Sequence, residues 1–477
     1  MTPGVDASLL EGLRAITGDA GLISDPTRLL SYECDGLALL QQRPACVVLP
    51  RTTDECARAV ALLHRAGVPI VGRGAGTGLS GGATPVAGGA IVGLARMRDI
   101  VALDVENRTA RVQAGLVNVD LSFAAEQHGL FYAPDPSSQH ACTIGGNIGE
   151  NSGGPHCFKY GSTNRHVLGL VIVRHDGSVL DLSRAHLDPL GYDLVGLFVG
   201  SEGMFGIATE IVVQLMPIQP VVETVLAIFK DLDGACDSVS DVIAAGHEPV
   251  ALEILDRLTI EAVEASVFAA GYPRDAEAVL LIECEGSEAE VAASLDEILA
   301  VVRRRGAIDV RRARNASERK KLWAGRKGAF GAMGRIAPDL YVADVVVPRT
   351  KLRELVLGST RIAHEHGLKL SNVFHAGDGN LHPNISYDRR DPAEVKRVLA
   401  AGDEIMELVV KAGGSLTGEH GVGLEKQAAM TQVFDESSLR AMCSVRDAWD
   451  PERRMNPGKL IPVHACREMR GALRPKA

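Results

Sequence analysis

The chain is predicted to have an α+β fold that is divided into at least two domains. The chain has 477 residues, which is longer than a domain with a single hydrophobic core usually is. The first half alternates short strands and short helices around glycine-rich loops, whereas longer helices separate the strands from about residue 221 onward. Pro217 and Pro220 interrupt the chain where this pattern changes. We therefore expect a first domain at residues 1–218, a second at 219–448 and a C-terminal segment at 449–477 that returns to the first.

The first elements are predicted to be a strand and a capped helix. Residues 46–49 are apolar and suit a buried strand. Thr52 and Glu55 have the spacing of a capping box, which satisfies the free N–H groups at the start of a helix. Gly67 suits the position just after a helix, because glycine readily adopts the left-handed backbone conformation found there. A helix is therefore expected between Thr52 and Gly67.

A glycine-rich loop is predicted directly after an apolar strand at residues 68–71. Six of the eleven residues 72–82 are glycine, which permits positive φ angles and lets a phosphate or pyrophosphate approach backbone N–H groups. The loop contains the G-x-G-x-x-G spacing of dinucleotide-binding folds, but that fingerprint requires a helix immediately after it. Pro85 and the two glycines after it prevent such a helix, and residues 90–94 suit a strand instead. We therefore predict a phosphate-binding loop between two strands, with an unstructured surface loop as the alternative.

Three further segments complete the first domain. Residues 100–105 and 109–114 suit the two strands of a hairpin. Residues 133–154 are rich in glycine, hydroxyl and amide side chains, and we expect little helix and a functional role in a stretch of this length. A third glycine-containing segment, residues 200–206, leads into a strand at residues 210–215.

The second domain is predicted to be an antiparallel sheet flanked by helices. Ser287 and Glu290 form a second capping box after an apolar strand at residues 279–284. Asp391 and Pro392 open another helix, because proline suits the first helical turn. Apolar residues recur at helical spacing in both segments, so each helix has one face for the core.

The composition excludes several classes of protein. The net charge of −10 at pH 7 disfavours a nucleic-acid groove, which needs a basic surface. The sequence has no apolar run of about 18 residues, and its N-terminus lacks the basic and apolar stretch of a signal peptide, so we expect a cytoplasmic protein without a transmembrane segment. The nine cysteines, of which Cys466 is the last, include no Cys-x-x-Cys pair, which argues against an iron–sulfur cluster or an all-cysteine zinc site.

Two clusters in the second domain carry groups that can do chemistry. His375 and His382 flank an Ala-Gly-Asp-Gly turn, which can bring both rings to one point, and Glu419 would add a carboxylate. Two imidazoles and one carboxylate with an open position are a ligand set of catalytic Zn²⁺ or Mn²⁺. His420 would then stay available as a base, since a neutral imidazole can accept a proton near neutral pH. The alternative is two hydrogen-bonded turn histidines, because their spacing matches no standard zinc motif.

Arg326 is a candidate for binding a carboxylate. Its planar guanidinium can match a carboxylate with two parallel hydrogen bonds. Local sequence alone favours the alternative, a solvent-exposed charge on a helix.

Five motifs in order along the chain resemble those of the FAD-linked oxidoreductases of the vanillyl-alcohol oxidase type. The group within this family that is most similar contains glycolate oxidase FAD subunits, D-lactate dehydrogenases and D-2-hydroxyglutarate dehydrogenases. The resemblance covers about residues 20–462. The motifs are the glycine loop at residues 72–82, the segment from Pro-Asp-Pro-Ser-Ser to Glu-Asn-Ser-Gly-Gly at 134–154, Gly-Ser-Glu-Gly-Met-Phe-Gly at 200–206, His-Ala-Gly-Asp-Gly-Asn-Leu-His-Pro at 375–383 and Gly-Glu-His-Gly-Val-Gly at 418–423.

The resemblance implies a two-part FAD-binding domain of the PCMH type at residues 1–218 and a substrate- and metal-binding cap domain at 219–448. The FAD is expected to be non-covalent, because the glycine loop contains no histidine. The implied pyrophosphate-binding residues are Arg73, Gly74, Ala75, Gly76, Thr77, Gly78, Leu79, Ser80, Gly81 and Gly82. The implied flavin-lining residues are Pro134, Asp135, Ser138, Cys142, Thr143, Gly145, Gly146, Asn147, Gly149, Glu150, Ser152, Gly153 and, from the C-terminal segment, Asn456. The residues expected at the adenine end are Glu202, Gly206 and Ile207.

The resemblance also implies a mechanism. The implied ligands of a divalent metal, Zn or Mn, are His375, His382 and Glu419. A 2-hydroxy acid would chelate that metal through its hydroxyl and its carboxylate. Arg326 would pair with the carboxylate, and Asn384 would orient the substrate. His420 would remove the hydroxyl proton while the Cα hydride passes to flavin N5.

One departure from the family pattern bears on the substrate. Relatives that oxidise 2-hydroxyglutarate carry a lysine in the strand corresponding to residues 340–344, where this chain has none. Such a lysine could meet a distal carboxylate, so its absence favours a small substrate with one carboxylate, glycolate or D-lactate. D-2-hydroxyglutarate is the alternative.

The sequence contains no redox centre that could take electrons from the flavin. Similarity to glycolate oxidases implies partner subunits, among them an iron–sulfur protein and a second flavin-type subunit. Similarity to lactate dehydrogenases allows a quinone or a soluble acceptor instead. Peripheral association with the inner face of the membrane is compatible with both. Two interpretations of other classes are a flavin-free metallohydrolase, which leaves the first domain unexplained, and a non-catalytic nucleotide-binding module.

Overall fold

Residues 5–184 and 191–462 are described by the computed structural model, in which the chain divides into two units. The first unit comprises Met1–Ser152, Ser162–Ile218 and His420–Ala477, and the second comprises Gly153–Gly161 and Gln219–Glu419. Cys466 and the end of the predicted C-terminal segment lie outside the described residues. Within the described ranges no helix is long and apolar enough to cross a membrane.

Sixteen α-helices and twenty strands follow one another along the described part of the chain. The α-helices are α1 (Ala7–Thr17), α2 (Pro26–Leu29), α3 (Thr53–Arg65), α4 (Asn118–Glu126), α5 (Ile144–Glu150), α6 (Cys157–Tyr160), α7 (Leu194–Phe198), α8 (Leu232–Ala244), α9 (Arg257–Glu264), α10 (Glu288–Arg304), α11 (Ala316–Lys327), α12 (Ala329–Met333), α13 (Leu352–Glu365), α14 (Pro392–Lys411), α15 (Met430–Val433) and α16 (Glu436–Trp449). The strands are β1 (Leu22–Ile23), β2 (Cys46–Val48), β3 (Ile70–Arg73), β4 (Ala90–Gly93), β5 (Ile100–Asp104), β6 (Thr109–Gln113), β7 (Leu130–Phe131), β8 (Val167–Val173), β9 (Val179–Asp181), β10 (Ile207–Gln214), β11 (Met216–Pro217), β12 (Val221–Phe229), β13 (Ala251–Asp256), β14 (Ala278–Gly286), β15 (Asp309–Arg312), β16 (Asp339–Val342), β17 (Val345–Val346), β18 (Lys369–His375), β19 (Asn380–Leu381) and β20 (Pro383–Tyr387).

The first unit is built on small sheets. A four-stranded sheet has the order β1-β2-β4-β3, in which β2, β4 and β3 are parallel. A five-stranded antiparallel sheet has the order β5-β6-β10-β8-β9, and β7 pairs with β11. Buried apolar side chains from both larger sheets and from α1, α3 and α5 form one continuous core. The helix predicted after Thr52 is confirmed, with the Thr52 side chain accepting the Glu55 N–H at 3.1 Å.

The glycine-rich loop joins β3 to β4, and residues 74–89, all of them described, contain no helix. The two strands are parallel neighbours, with Ile70 opposite Ala90 and Arg73 opposite Gly93. Parallel neighbours are usually linked through a helix, so the direct loop distinguishes this unit from a dinucleotide-binding βαβ fold. The predicted course of strand, loop and strand is therefore confirmed.

The expectation of little helix in residues 133–154 is wrong, because α5 occupies seven of them. The Thr143 side chain accepts a hydrogen bond from the Gly146 N–H at 3.2 Å and caps the first turn. Gly145 packs closely against the residue that follows β6, since a Cβ at Gly145 would lie 2.7 Å from the Ala114 side chain. Capping and packing therefore outweigh the low helix propensity of glycine.

The second unit is built on a larger antiparallel sheet. Its strand order is β15-β12-β14-β13-β18-β19-β17, and β20 pairs with both β18 and β16. Helices α9 and α12 contribute to one apolar cluster on this sheet, and α13 and α14 contribute to another. The predicted antiparallel sheet with flanking helices is confirmed, as are the capping box at Ser287 and the helix that begins after Asp391.

Candidate functional site

Three side chains of the second unit form a buried cluster that could bind a metal. β18 ends at His375, and a tight turn leads through β19 to His382, so that the centroids of the two imidazole rings lie 5.2 Å apart. Glu419 Oε1 lies 3.2 Å from His375 Nε2 and 3.2 Å from His382 Nε2. Ligand atoms of all three residues lie within 4.8 Å of one another. The three predicted metal ligands are thus brought together.

The chemistry of these atoms fits a divalent metal. Imidazole nitrogen and carboxylate oxygen are ligands of Zn²⁺ and Mn²⁺. Burial alone would lower the pKa of His375, but the carboxylates of Glu253 and Glu419 outweigh burial and raise this pKa to about 10. Burial would likewise raise the pKa of Glu419, but the His375 and His382 imidazoles hold it well below its usual range. Because the same nitrogen and oxygen atoms bind either protons or a metal ion, protons and a metal would compete for this cluster.

Asp344 fixes the backbone that carries Glu419, and sequence reasoning missed it. The Asp344 side chain is fully buried. Its Oδ2 accepts hydrogen bonds from Thr417 Oγ1 at 2.5 Å, from the Gly418 N–H at 3.0 Å and from the Glu419 N–H at 3.2 Å. Gly153, predicted to line the flavin, packs against the same glutamate, since a Cβ there would lie 2.9 Å from Glu419 Oε2. The position of Glu419 is therefore set by contacts with both its backbone and its carboxylate.

A second buried carboxylate, Glu253 of β13, lies beside the cluster and was also missed. Arg326 Nε donates to Glu253 Oε2 at 2.6 Å, and both side chains are fully buried. His375 Nδ1 lies 2.9 and 3.0 Å from the two Glu253 oxygens. Arg326 Nη1 has no hydrogen-bond partner among the described residues. The solvent-exposed charge favoured by local sequence is therefore wrong, and Arg326 retains a buried N–H group that could bind an anion.

The other two predicted catalytic residues are Asn384 and His420. Asn384 of β20 is buried, and its Nδ2 donates to the carbonyls of His382 at 2.7 Å and Ser371 at 3.3 Å. Its Oδ1 has no hydrogen-bond partner in residues 5–184 and 191–462. His420 follows Glu419 directly in the chain, belongs to the first unit and is half-buried. The roles of both side chains stay predictions.

In the first unit the glycine loop curls around the Arg73 side chain. Arg73 Nη1 donates to the Cys34 carbonyl at 2.7 Å, and the guanidinium lies 5.7 Å from the centre of the Tyr32 ring. A Cβ at Gly76 would lie 2.1 Å from this guanidinium, and Gly76 has a φ of 73°. Glycine is therefore required at this position for both space and backbone conformation. Arg73, predicted to bind the pyrophosphate, also holds the shape of the loop.

Two residues near the C-terminus hold the far end of the loop. Lys459 is fully buried and donates to the carbonyls of Gly82 at 2.7 Å and Thr84 at 2.5 Å. Asn456 Nδ2 donates to the same Gly82 carbonyl at 3.0 Å and to the Glu202 carbonyl at 2.5 Å. Sequence reasoning missed Lys459, because a lysine in a loop-like segment is normally exposed.

Several polar side chains near the loop are buried without partners, which fits a bound polar cofactor such as FAD. Asn147 of α5 is 1% exposed, and neither atom of its amide has a hydrogen-bond partner within the described chain. The same is true of Ser80 Oγ, Glu150 Oε2 and Asn456 Oδ1. Buried polar atoms in proteins are nearly always hydrogen-bonded, so these donors and acceptors suit a ligand rich in polar groups. Of the predicted flavin-lining residues, α5 carries Gly145, Gly146, Asn147, Gly149 and Glu150, and the segment before it carries Pro134, Asp135, Ser138, Cys142 and Thr143.

The residues expected at the adenine end connect two of the sequence motifs. The Glu202 carboxylate accepts the N–H groups of Val422 at 2.7 Å and Gly423 at 2.8 Å. Gly206 has a φ of 138°, and a Cβ there would lie 2.6 Å from a backbone carbonyl of β8, while Ile207 begins β10. The contacts of these three residues with other residues, described above, lie within the first unit. Their contacts with FAD stay predictions.

Comparison with known proteins identifies the family of the chain. Residues 44–183 match the family described as FAD binding domain, and residues 218–460 match FAD linked oxidases, C-terminal domain. The chain is 44% identical over 468 residues to glycolate oxidase subunit GlcD of Escherichia coli (strain K12), which covers 98% of this chain and 94% of that protein. It is 39% identical over 452 residues to GlcD of Bacillus subtilis (strain 168), with coverage of 94% and 96%. It is 30% identical over 465 residues to D-lactate dehydrogenase of Anaerostipes hadrus, with coverage of 96% and 98%.

Solved structures share the fold. p-Cresol methylhydroxylase with substrate bound superimposes with a TM-score of 0.81 at 18% identity, covering 96% of this chain and 97% of that one. 4-Ethylphenol oxidase from Gulosibacter chungangensis gives a TM-score of 0.80 at 20% identity, with coverage of 96% and 98%. The α+β fold with a PCMH-type FAD-binding domain is therefore confirmed. The interpretations as a flavin-free metallohydrolase and as a non-catalytic nucleotide-binding module are wrong, because the chain matches FAD-linked oxidases over both domains. The chain belongs to the family of FAD-linked oxidases and is an oxidoreductase that uses FAD.

Proposed function

We propose that the chain oxidises a small 2-hydroxy acid, glycolate or D-lactate, to the 2-oxo acid. The observation that carries this proposal is the buried cluster of His375, His382 and Glu419 beside Arg326, whose Nη1 is without a partner among the described residues. Such a cluster and an available guanidinium suit a substrate that carries a hydroxyl and a carboxylate on adjacent carbons. The names of the relatives, glycolate oxidase subunit and D-lactate dehydrogenase, support acids of this kind.

Each residue has a proposed task in this reaction. Arg326 binds the substrate carboxylate through Nη1, while its Nε stays on Glu253. Asn384 orients the substrate through Oδ1, since its Nδ2 already donates to two carbonyls. His420 accepts the proton of the substrate hydroxyl. When bound, a divalent metal, Zn or Mn, supplies polarisation of the substrate oxygens and FAD supplies the acceptor of the Cα hydride.

Residues 340–344 support a substrate with a single carboxylate. This stretch reads Leu-Tyr-Val-Ala-Asp, and the side chains of Tyr341, Val342 and Ala343 are buried. It contains no cation that could bind a second carboxylate, and Asp344 would repel one. D-2-Hydroxyglutarate, with its distal carboxylate, is therefore the less suitable substrate.

We also propose that electrons leave the flavin through a partner. An iron–sulfur protein and a second flavin-type subunit are the partners proposed for the glycolate reaction, and a quinone is the acceptor proposed for the lactate reaction. The relatives from Escherichia coli and Bacillus subtilis are both named as subunits, which supports an assembly with other chains.

An anaerobic titration tests the reaction and the substrate together. The FAD-loaded protein is mixed with glycolate, D-lactate, L-lactate or D-2-hydroxyglutarate, and the flavin absorbance is followed. We expect glycolate or D-lactate to bleach the flavin, and D-2-hydroxyglutarate to do so at least about tenfold more slowly. A chelator should slow the bleaching, and added Zn²⁺ or Mn²⁺ should restore it. Absence of bleaching with all four acids would contradict the proposed function, whereas fastest bleaching by D-2-hydroxyglutarate would contradict only the substrate class.

Lys459→Met is expected to weaken FAD binding about tenfold. The change leaves the buried carbonyls of Gly82 and Thr84 without their donor, which costs about 1–3 kcal/mol and loosens the loop proposed to hold the pyrophosphate. Urea unfolding of the apoprotein and equilibrium FAD titration measure the two effects. Lys411→Met, at a lysine that is 76% exposed on α14, should change neither. Unchanged FAD affinity in Lys459→Met would show that the loop does not depend on this lysine.

A further inference from the structure

Glu253 is a buried carboxylate for which the proposed reaction has no direct use. It lies on β13, between β14 and β18, and its side chain is 0% exposed. The sheet register places Glu253 directly opposite His375 of β18. Directly opposed residues of antiparallel strands project to the same face, which is why the carboxylate and the imidazole meet. A buried carboxylate is costly unless it is paired, so its partners indicate its role.

The first partner is the nitrogen of His375 that faces away from the cluster. His375 Nδ1 lies 2.9 and 3.0 Å from the two Glu253 oxygens, whereas Nε2 lies 3.2 Å from Glu419 Oε1. An ionised carboxylate only accepts hydrogen bonds, so Nδ1 carries the hydrogen. The imidazole is thereby fixed in the tautomer whose Nε2 lone pair points toward the atoms that would share a metal.

The second partner is the arginine proposed to bind the substrate carboxylate. Arg326 Nε donates to Glu253 Oε2 at 2.6 Å, and Arg326 Nη2 lies 3.3 Å from His375 Nδ1. The hydrogen bond at Nε fixes the plane of the guanidinium. Nη1 has no partner within the described residues, and because His375 Nδ1 carries a hydrogen it does not accept from Nη2. One carboxylate therefore orients a proposed metal ligand and a proposed substrate-binding group.

We propose that Glu253 is the positioning residue that couples the metal site to the site for the substrate carboxylate. It holds His375 in the metal-binding tautomer and Arg326 in the plane that presents Nη1, without contacting the substrate itself. This inference rests on the proposed function, in which a metal and a 2-hydroxy acid bind side by side. Loss of the Glu253 charge should therefore weaken the binding of both.

Glu253→Gln tests this coupling because it preserves length and removes charge. In the FAD-loaded full-length protein, competition with a chromophoric chelator should show dissociation constants for Zn²⁺ and Mn²⁺ that are about 10- to 100-fold higher than in the wild type. KM for the hydroxy acid should rise while the FAD content stays near the wild-type value, and the midpoint of thermal unfolding should fall because the buried Arg326 loses its charged partner. Glu253→Asp, which restores the charge at shorter reach, should recover part of the metal affinity.

Glu283 on the neighbouring strand β14 provides a matched control. It is also a buried glutamate, but its carboxylate accepts from Trp323 Nε1 at 2.6 Å and from Thr224, and lies 3.5 Å from His156 Nε2. Because none of these partners is a proposed metal ligand, Glu283→Gln should raise the dissociation constants for Zn²⁺ and Mn²⁺ less than about tenfold.

Two outcomes separate this inference from the function on which it rests. Wild-type metal affinity in folded Glu253→Gln would overturn the role of Glu253. If the glutamine variant does not fold, Glu253→Met, which also removes the charge at similar length, takes its place, and wild-type affinity there would overturn the role equally. If the hydroxy acid still reduces the flavin of the metal-free wild type at the full rate, the proposal of a metal-assisted reaction is wrong.

Discussion

Arg326→Ala is expected to lower kcat/KM for glycolate or D-lactate about 100-fold or more. The substitution removes the proposed partner of the substrate carboxylate, and it also leaves the buried Glu253 without its ion pair. Removing one member of a buried, hydrogen-bonded charge pair costs about 2–5 kcal/mol, and each 1.4 kcal/mol corresponds to about tenfold. Anaerobic stopped-flow measurement of flavin reduction over a range of substrate concentrations gives the ratio directly.

The matched control for Arg326 is its neighbour on α11. Lys327→Ala removes a positive charge from the same helix and should leave kcat/KM near the wild-type value. Added guanidinium ion should restore part of the rate in Arg326→Ala without accelerating the wild type. A value of kcat/KM close to wild type in Arg326→Ala would show that another group binds the carboxylate.

His420→Ala is expected to slow flavin reduction by a 2-hydroxy acid about 100-fold or more while FAD remains bound. A positioned base typically contributes about 10²- to 10⁴-fold, and this imidazole is proposed to accept the hydroxyl proton. The flavin spectrum measures FAD content, and single-turnover reduction measures the chemical step.

His364→Ala is the control for loss of an imidazole elsewhere, since His364 is exposed on α13. It should leave the rate of flavin reduction unchanged. Near-normal reduction in His420→Ala would remove His420 from the proposed role and direct attention to another proton acceptor.

Local signals in the sequence correctly predict those helices and loops whose structure is determined by residues that are close together in the chain. The hydroxyl of Thr52 and the capping box at Ser287 predict helix starts, because the atoms that cap a helix lie within one turn of it. The helix after Asp391 is predicted for the same reason. The course of the glycine loop could also be predicted, since Pro85 and its neighbouring glycines are incompatible with a helix.

Sequence reasoning failed where distant contacts outweigh local preference. The glycine-rich residues of α5 have low helix propensity, but Gly145 packs so closely against Ala114 that a larger residue would not fit. Arg326 lies on a helix with other charges and resembles a surface residue, although its partner Glu253 is 73 positions away on a buried strand. One usable signal was overlooked, because a glutamate within the apolar stretch Ala-Leu-Glu-Ile-Leu at 251–255 is unusual without a partner.

The sequence by itself determined the α+β fold, the phosphate-loop candidate and the residue types that a metal-assisted oxidation of a hydroxy acid would need. His375 and His382 are only seven positions apart, so one hairpin can join them. Only the tertiary structure decided that Glu419 meets both histidines, that Glu253 stands opposite His375 and that Lys459 supports the glycine loop. These contacts depend on strand register and on packing between segments that are distant in sequence. A buried charge needs a partner because burying it unpaired is costly, but this requirement does not say which residue the partner is.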